Sequence, residues 1–183
     1  MYATELSPSE IVKYCLMNKI PSIAYTFNEP TIFFEYTYDT AKLANKKGIK
    51  NVYVSNGYYS KEAIDMISPY LDAVNIDLKA FTERFYNKIC GAKLDNVLES
   101  IRYTHKLGVW VEITTLLVPG ENDSIDEITS IAKFVKSVDS GIPWHVSAFH
   151  PAYKMMDKKS TSYEIVEKAV KIGKEVGLKH VYY

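Results

Sequence analysis

Cysteine is scarce in this sequence, and its scarcity excludes several classes of protein. The 183 residues include two cysteines, Cys15 and Cys90. Two cysteines this far apart form neither a zinc motif nor a disulfide framework. We therefore expect a protein of a reducing compartment, the cytoplasm.

Long apolar runs and an excess of one charge are absent as well. Lysine plus arginine and aspartate plus glutamate each number 22, which argues against a broad surface for nucleic acid or anionic lipid. The sequence contains no run of about 18 apolar residues and therefore predicts no membrane-spanning helix. The first residues lack the basic and apolar segments of a signal peptide. We expect no nucleic-acid partner and no membrane partner.

The remaining composition is that of a globular protein. Apolar residues make up 47% of the sequence and charged residues 24%, and no low-complexity linker divides it. A chain of this length predicts a single domain, residues 1–183.

Short segments rich in β-branched and aromatic residues alternate with longer segments of helical periodicity. The predicted strands are Ser22–Thr26, Asn51–Ser55, Ala73–Leu78, Val109–Val118, Trp144–Phe149 and Lys179–Tyr183. The first predicted helix begins near Ser7, and the others lie over 32–47, 61–67, 83–89, 94–107, 124–138 and 162–176. This alternation predicts an α/β fold with parallel strands and right-handed crossovers. A complete eight-fold barrel needs about 250 residues. The pattern therefore predicts a partial barrel or an open doubly wound sheet.

Polar residues follow the predicted strands at the end where parallel α/β folds bind ligands. They are Asn28, Glu29, Ser55, Asn56, Asp77, Lys79 and His150. Each has an ordinary explanation when taken alone, such as a turn, a helix start or an ion pair. Their common position at one end of the sheet favours a binding site. Elsewhere, Glu112 and Thr114 share one face of a strand, where Glu112 is expected to pair with a lysine.

The order of these motifs resembles that of radical S-adenosylmethionine (SAM) enzymes. The segments that carry the resemblance are Asn28–Pro30, Ser55–Gly57, Asp77–Lys79, Val118–Gly120 and Phe149–Pro151. They are most similar to the pyruvate formate-lyase activating enzyme type, and closest to the radical SAM member of the AmmeMemoRadiSam group. The resemblance extends over nearly the whole chain. It implies a partial (β/α)6 radical-SAM-type, TIM-like barrel whose first strand and cluster loop are missing.

The resemblance also implies which residues bind SAM. Asn28 and Glu29 match the loop that binds the methionine amino group. Ser55 and Asn56 match the segment that meets the methionine or ribose part, and Asp77 and Lys79 match a pair near the SAM amino acid. In the same comparison, Val118 lies near adenine and His150 near the ribose and the substrate opening. No catalytic residue is assigned.

The sequence departs from the family at the iron–sulfur cluster. The resemblance implies a [4Fe–4S] cluster held by Cys-x3-Cys-x2-Cys, and this chain has no such motif. We expect no metal ligand in this chain, and Cys15 and Cys90 are expected to be small core or loop residues. The chain is therefore expected to be the C-terminal portion of a radical SAM enzyme. The missing segment would lie upstream of Met1 or on a partner chain.

Three functions remain open at this stage. The resemblance implies reductive cleavage of SAM to a 5′-deoxyadenosyl radical, which abstracts hydrogen from a protein or a small molecule, as in glycyl-radical activation. A Schiff-base aldolase that uses Lys79 as its nucleophile is the second. A non-catalytic fragment that binds SAM or completes a partner chain is the third. The exposed sheet edge at Ser22–Thr26 also predicts self-association.

Overall fold

All six strands pair in parallel and in the order of the chain. The computed structural model describes residues 5–183. The strands are β1 (Ser22–Tyr25), β2 (Lys50–Ser55), β3 (Ala73–Asp77), β4 (Trp110–Leu117), β5 (Trp144–Ala148) and β6 (Val181–Tyr182). A doubly wound sheet would reverse its strand order part-way. The sequential order therefore confirms the partial barrel rather than the open doubly wound alternative.

One helix precedes β1, and the other helices connect successive strands. They are α1 (Pro8–Met17), α2 (Phe34–Asn45), α3 (Lys61–Ile67), α4 (Glu83–Phe85), α5 (Leu94–Lys106), α6 (Ile125–Val138) and α7 (Tyr163–Val176). Short 3-10 turns lie at Ser68–Tyr70 and Tyr153–Met155. Of the helices within residues 5–183, none combines the length and the apolar character needed to cross a lipid bilayer.

The predicted helix over 83–89 is only partly α-helical. The α-helix α4 ends at Phe85 and continues as one π-helical turn, Tyr86–Cys90. Gly91 follows with a φ of 65°, and its N–H donates to the Tyr86 carbonyl. This wider turn ends in a residue with the left-handed backbone conformation, which glycine adopts without strain.

Serine residues begin three of the helices. Ser7 and Glu10 form a reciprocal capping box at α1, because each side chain accepts from the other residue's backbone N–H. Ser60 caps α3 and Ser124 caps α6. Because Ser124 supplies the cap of α6, Asn122, two residues earlier, is available for other hydrogen bonds.

The two faces of the sheet differ sharply in exposure. Side chains that face the helices are buried and form the main core, among them Tyr53, Ile76, Ile113 and Trp144. The alternate side chains are half-buried or exposed because strand residues alternate between faces. We call this second surface the open face; it carries Val54, Asn75, Asp77, Trp110, Glu112, Thr114, Leu116, His145 and Tyr182.

The helix α1 packs against α2 rather than on the main core. Val12 and Cys15 of α1 are buried against Ala44 and Ile49 in a small separate cluster. Cys15 is therefore a core residue, as expected from its place on the apolar face of a helix.

The strand β1 forms one edge of the sheet. It pairs with β2, and no other strand within residues 5–183 pairs with it. The Lys50 N–H donates to the Pro21 carbonyl, and the register places Ile23 opposite Asn51. Because successive backbone groups of a strand point to opposite sides, the N–H of Ala24 points away from β2.

We expect the exposed edge of β1 to support self-association at high protein concentration. The substitution Ala24→Pro removes an outward N–H and should shift the chain towards the monomer, while leaving the pairing with β2 intact. Sedimentation velocity over a range of concentrations measures this. The control, Ala24→Thr, keeps the N–H and should associate as the wild type does. A wild-type chain that stays monomeric at every concentration contradicts the prediction.

Candidate functional site

A cavity of about 400 Å³ lies at the carboxyl end of the sheet. Three of the residues predicted from the sequence line it: Asn56, Lys79 and Val118. The other lining residues are Tyr58, Phe85, Tyr86, Ile89, Cys90, Gly91, Ala92, Val97, Leu116, Phe149 and Met155. The cavity therefore has a mostly apolar wall with a few polar groups, which is typical of a small-molecule site.

Glu29 joins the end of β1 to the end of β2. Its side chain is buried, and its Oε1 accepts from Ser55 Oγ at 2.8 Å and from Thr31 Oγ1 at 3.1 Å. Its Oε2 accepts from the Asn56 N–H at 2.7 Å. Glu29 and Ser55 do not line the cavity themselves. They hold the backbone of Asn56, which does.

The turn after Asn56 requires glycine. Gly57 has a φ of 72°, and a Cβ atom there would lie 2.7 Å from Ile76 Cγ2. Both the backbone conformation and the close approach exclude a side chain. The Asn56-Gly57 pair is thus a turn, as the sequence also allowed, and the turn presents Asn56 to the cavity.

Asp77 and Lys79 form an ion pair, in which Lys79 lines the cavity and Asp77 does not. Lys79 Nζ lies 2.8 Å from Asp77 Oδ2, and the two side chains are 39% and 34% exposed. The Lys79 N–H donates to Tyr86 OH at 3.2 Å, which fixes the lysine backbone. An ion pair this exposed contributes little to stability. Both charges are therefore accessible to a ligand.

The buried Asn122 connects the ends of β3 and β4. Its Nδ2 donates to the Lys79 carbonyl at 2.5 Å and to the Leu116 carbonyl at 2.8 Å. Its Oδ1 accepts from the Val118 N–H at 2.6 Å. Asn122 was missed as a site residue in the sequence, where it reads as part of a helix cap. Its one local signal is its position two residues after the Pro119-Gly120 turn, where asparagine commonly bonds to nearby backbone.

The apolar wall of the cavity is also held by a buried hydroxyl that the sequence did not reveal. Thr161 Oγ1 accepts from the Phe149 N–H at 3.0 Å and donates to the Leu117 carbonyl at 2.6 Å. These bonds hold the start of the β5–α7 loop beside the end of β4. Phe149 and Val118 are thereby brought to the same wall.

The π-helical turn supplies another part of the cavity wall. It carries two groups, Tyr86 and Cys90, whose pKa values are raised by burial. Burial raises the pKa of the Tyr86 hydroxyl, so it remains protonated. Burial also raises the pKa of the Cys90 thiol. A protonated thiol is a weak metal ligand, because the thiolate is the ligating form.

Besides Glu29, Ser55 and Asp77, two more predicted residues do not line the cavity. Asn28 and His150 are exposed in the loops that follow β1 and β5. Both loops leave the same end of the sheet as the cavity, but neither side chain is among the lining residues. Their contact with a ligand stays a prediction.

The chain does not offer ligands for a [4Fe–4S] cluster. Within residues 5–183 no group of three or more histidine, cysteine or acidic side chains is arranged to hold a metal ion. Cys15 is buried beside α2, and Cys90 lines the cavity. The described residues therefore do not fit the cluster.

Comparison with known families explains the arrangement of the site. The Radical SAM superfamily profile matches residues 1–135. The chain belongs to the radical SAM superfamily. This confirms the family that the ordered motifs indicated.

Two curated relatives come from Methanocaldococcus jannaschii. The uncharacterized protein MJ0808 is 42% identical over 179 residues, which cover 97% of this chain and 53% of MJ0808. The putative glycyl-radical enzyme activating enzyme MJ1632 is 29% identical over 167 residues, which cover 89% of this chain and 62% of MJ1632. This radical SAM chain thus spans between half and two thirds of the length of these relatives.

Solved structures share the fold. A domain of pyruvate-formate lyase-activating enzyme from Bacteroides vulgatus aligns with a TM-score of 0.73 at 19% identity, covering 88% of this chain and 98% of that domain. SuiB from Streptococcus suis, bound to S-adenosylmethionine, aligns with a TM-score of 0.78 at 12% identity, covering all of this chain and 44% of SuiB. At these identities the likeness concerns the fold, and it confirms the partial radical-SAM-type barrel.

Lys79 does not have the surroundings of a Schiff-base lysine. A nucleophilic lysine is activated by desolvation or by a neighbouring cation. Lys79 is 39% exposed and its ammonium lies against a carboxylate. This environment suits the binding of an anionic group better than attack on a carbonyl.

We expect Asn122→Ala to destabilise the protein strongly. The substitution leaves the buried Val118 N–H and two carbonyls without partners, and each unsatisfied buried group costs about 1–3 kcal/mol. The free energy of unfolding should therefore fall by about 3 kcal/mol or more. Urea denaturation measures it. Asn96→Ala is the control, because the Asn96 amide is exposed and donates only to Tyr58 OH. Equal losses in the two variants contradict the role given to Asn122.

Proposed function

We propose that this chain is the SAM-binding portion of a radical SAM enzyme, and that the whole protein activates a glycyl-radical protein. One observation carries the SAM site: Lys79, which lines a mostly apolar cavity at the carboxyl end of the sheet, forms a half-exposed ion pair with Asp77. The similarity to MJ1632 supports the finer statement about glycyl radicals.

The ion pair matches the amino-acid part of SAM. That part carries one ammonium and one carboxylate. In the proposed site, Lys79 binds the carboxylate of SAM and Asp77 accepts a hydrogen bond from its ammonium. The ion pair between Asp77 and Lys79 is thus replaced by two contacts with the ligand. Charge-assisted hydrogen bonds of this kind are about twice as strong as neutral ones.

The rest of the cavity matches the nucleoside part of SAM. Val118, Phe149 and Leu116 supply an apolar wall for the planar base, and Asn56 supplies an amide for a polar group. The volume of about 400 Å³ falls within the usual range for small-molecule sites, about 300–1,000 Å³.

Glu29 has a positioning role in this proposal and room for a direct one. Both of its oxygens accept bonds from protein donors. Its Oε1 accepts from three donors, the Thr31 N–H, Thr31 Oγ1 and Ser55 Oγ, whereas its Oε2 accepts from one, so an acceptor position remains on Oε2. The direct contact of Glu29 with the SAM ammonium therefore stays a prediction, as do the contacts of Asn28, Ser55 and His150.

SAM bound beside a reduced [4Fe–4S] cluster supplies the one-electron chemistry of this family. The residues of this chain would bind SAM, orient it and keep water from its nucleoside part. The cluster ligands would come from a further segment of a longer protein or from a partner chain. The hydrogen donor would be a protein or a small molecule.

We expect Lys79→Met to weaken SAM binding. Loss of one charge-assisted hydrogen bond, about 1.5–3 kcal/mol, should lower the affinity about 10-fold to 100-fold. Stability should change little, because the Asp77–Lys79 pair is exposed. Isothermal titration calorimetry and thermal melts separate the two effects.

Lys50→Met is the matched control. Lys50 pairs with Asp72 in the same way, with Nζ and Oδ1 2.6 Å apart, but at the amino end of the sheet. Its affinity for SAM should equal that of the wild type. A Lys79 variant that binds SAM normally and melts much earlier would make the ion pair structural and the site assignment wrong.

We expect this chain by itself to assemble no [4Fe–4S] cluster. Its two cysteines lie in different parts of the fold, and burial raises the pKa of the Cys90 thiol, which disfavours the ligating thiolate. Anaerobic reconstitution followed by iron and sulfide analysis tests this. A variant with both cysteines replaced by serine should retain the same background iron. About four irons per wild-type chain, with the absorption of a cluster, would refute the expectation.

A further inference from the structure

A carboxylate on the open face has an unexpected set of partners. Glu112 Oε2 lies 2.8 Å from His145 Nε2, and Glu112 Oε1 accepts from Trp110 Nε1 at 3.1 Å. The expected lysine partner of Glu112 is therefore wrong. The register of β4 and β5 explains the difference. His145 lies opposite Thr114, so its imidazole is on the face of the sheet that Thr114 and Glu112 share.

The negative charge of Glu112 is not balanced by a permanent cation. Lys79 and Lys50, which belong to the neighbouring strands β3 and β2 or follow them, are paired with Asp77 and Asp72. In the part of the chain that the structure describes, Glu112 forms its ion pair with His145, which is charged only when protonated. With a neutral imidazole, this part of the open face carries a net negative charge.

Two exposed aromatic rings lie on the same face of the sheet as this carboxylate, Trp110 in contact with it and Tyr182 in contact with its partner His145. Trp110 is 56% exposed and Tyr182 is 49% exposed, although both are large side chains. The Tyr182 ring stacks on His145 with 5.3 Å between ring centroids. Both glutamate oxygens are held in one orientation by N–H donors, yet its side chain remains about one third exposed.

We propose that Glu112, Trp110 and Tyr182 form a subsite for a positively charged group of the substrate, an ammonium or a guanidinium. A fixed carboxylate forms charge-assisted hydrogen bonds with such a group, and electron-rich ring faces attract it. His145 orients the carboxylate. That the bound group belongs to a substrate rests on the proposed function, whereas the cation subsite itself rests on the geometry of the open face.

The position of the subsite defines the shape of the substrate. Asn75 lies opposite Glu112 and Asp77 lies opposite Thr114 in the β3–β4 register. Glu112 is therefore two residues, about 7 Å, nearer the amino end of the sheet than Asp77. A substrate that binds there would present its cationic group deep on the open face and its reacting end near the proposed SAM site. The side chain of a lysine or an arginine has this length and charge.

A pair of probes that differ in charge tests the subsite directly. N-acetyl-lysine methylamide carries the ammonium, and N-acetyl-norleucine methylamide has nearly the same shape without it. Trp110 serves as the reporter, because the other tryptophan, Trp144, is fully buried. The lysine probe should shift the Trp110 indole N–H resonance in a saturable way, and the norleucine probe should not. Equal responses to the two probes, or none at tens of millimolar, overturn the proposal.

A glutamate variant locates the charge that binds the probe. Glu112→Gln keeps the shape of the side chain and should weaken the lysine probe about tenfold or more. Glu175→Gln is the control, because Glu175 is an exposed glutamate of α7 on the helical side of the sheet. Unchanged probe affinity in Glu112→Gln overturns the proposal. The comparison of the two probes on the wild-type chain does not depend on the variant's folding.

SAM titration separates this proposal from the proposed function. Glu112→Gln should bind SAM as the wild type does, since Glu112 does not line the cavity. A lysine probe that binds through Glu112 to a chain that never binds SAM supports the cation subsite and counts against the SAM site. A chain that binds SAM but not the lysine probe supports the SAM site and counts against the cation subsite.

Discussion

The three hydrogen bonds of the Asn122 amide are the interaction on which the candidate site depends. The ends of β3 and β4 leave backbone groups that must be satisfied away from water. Asn122 satisfies the carbonyls of Lys79 and Leu116 and the N–H of Val118 with one side chain. Lys79 and Val118 line the cavity just beyond the ends of the neighbouring strands β3 and β4, so their separation is set by this amide. Glu29 performs the same task between β1 and β2 and thereby places Asn56.

Local sequence patterns predicted an α/β fold with parallel strands and part of the candidate site, whereas the partial barrel was implied by the family resemblance. The alternation of strand-like and helix-like segments predicts parallel pairing, and strand parity places Asn75 and Asp77 on one face. The positions after the strands then identify Asn56 and Lys79. The amide of Asn122 and the hydroxyl of Thr161 could not be found this way, because their partners are 43 and 44 residues distant in sequence. The His145 partner of Glu112 depends equally on the register between two strands.

The two faces of the sheet have different roles. The helix-facing side chains are apolar and buried, and they supply the core. The open face carries half-exposed polar pairs at successive levels: Thr114 with Asn75, and Glu112 with His145. A parallel sheet normally has helices on both faces or closes into a barrel. In a partial barrel the inner face stays accessible along its whole length, so polar residues can be used there for binding without the cost of full burial.

The same openness sets how strongly the proposed SAM site holds its ligand. Asp77 and Lys79 are each more than one third exposed, so their charges interact through a medium close to water. A ligand that excludes this water strengthens its bonds to both charges, because the medium around them becomes less polar. The apolar wall from Phe149 to Cys90 would exclude that water through contact with the nucleoside. The apolar and charged parts of the proposed site would therefore act together: the wall strengthens the charge-assisted bonds, and those bonds fix the amino-acid part of SAM.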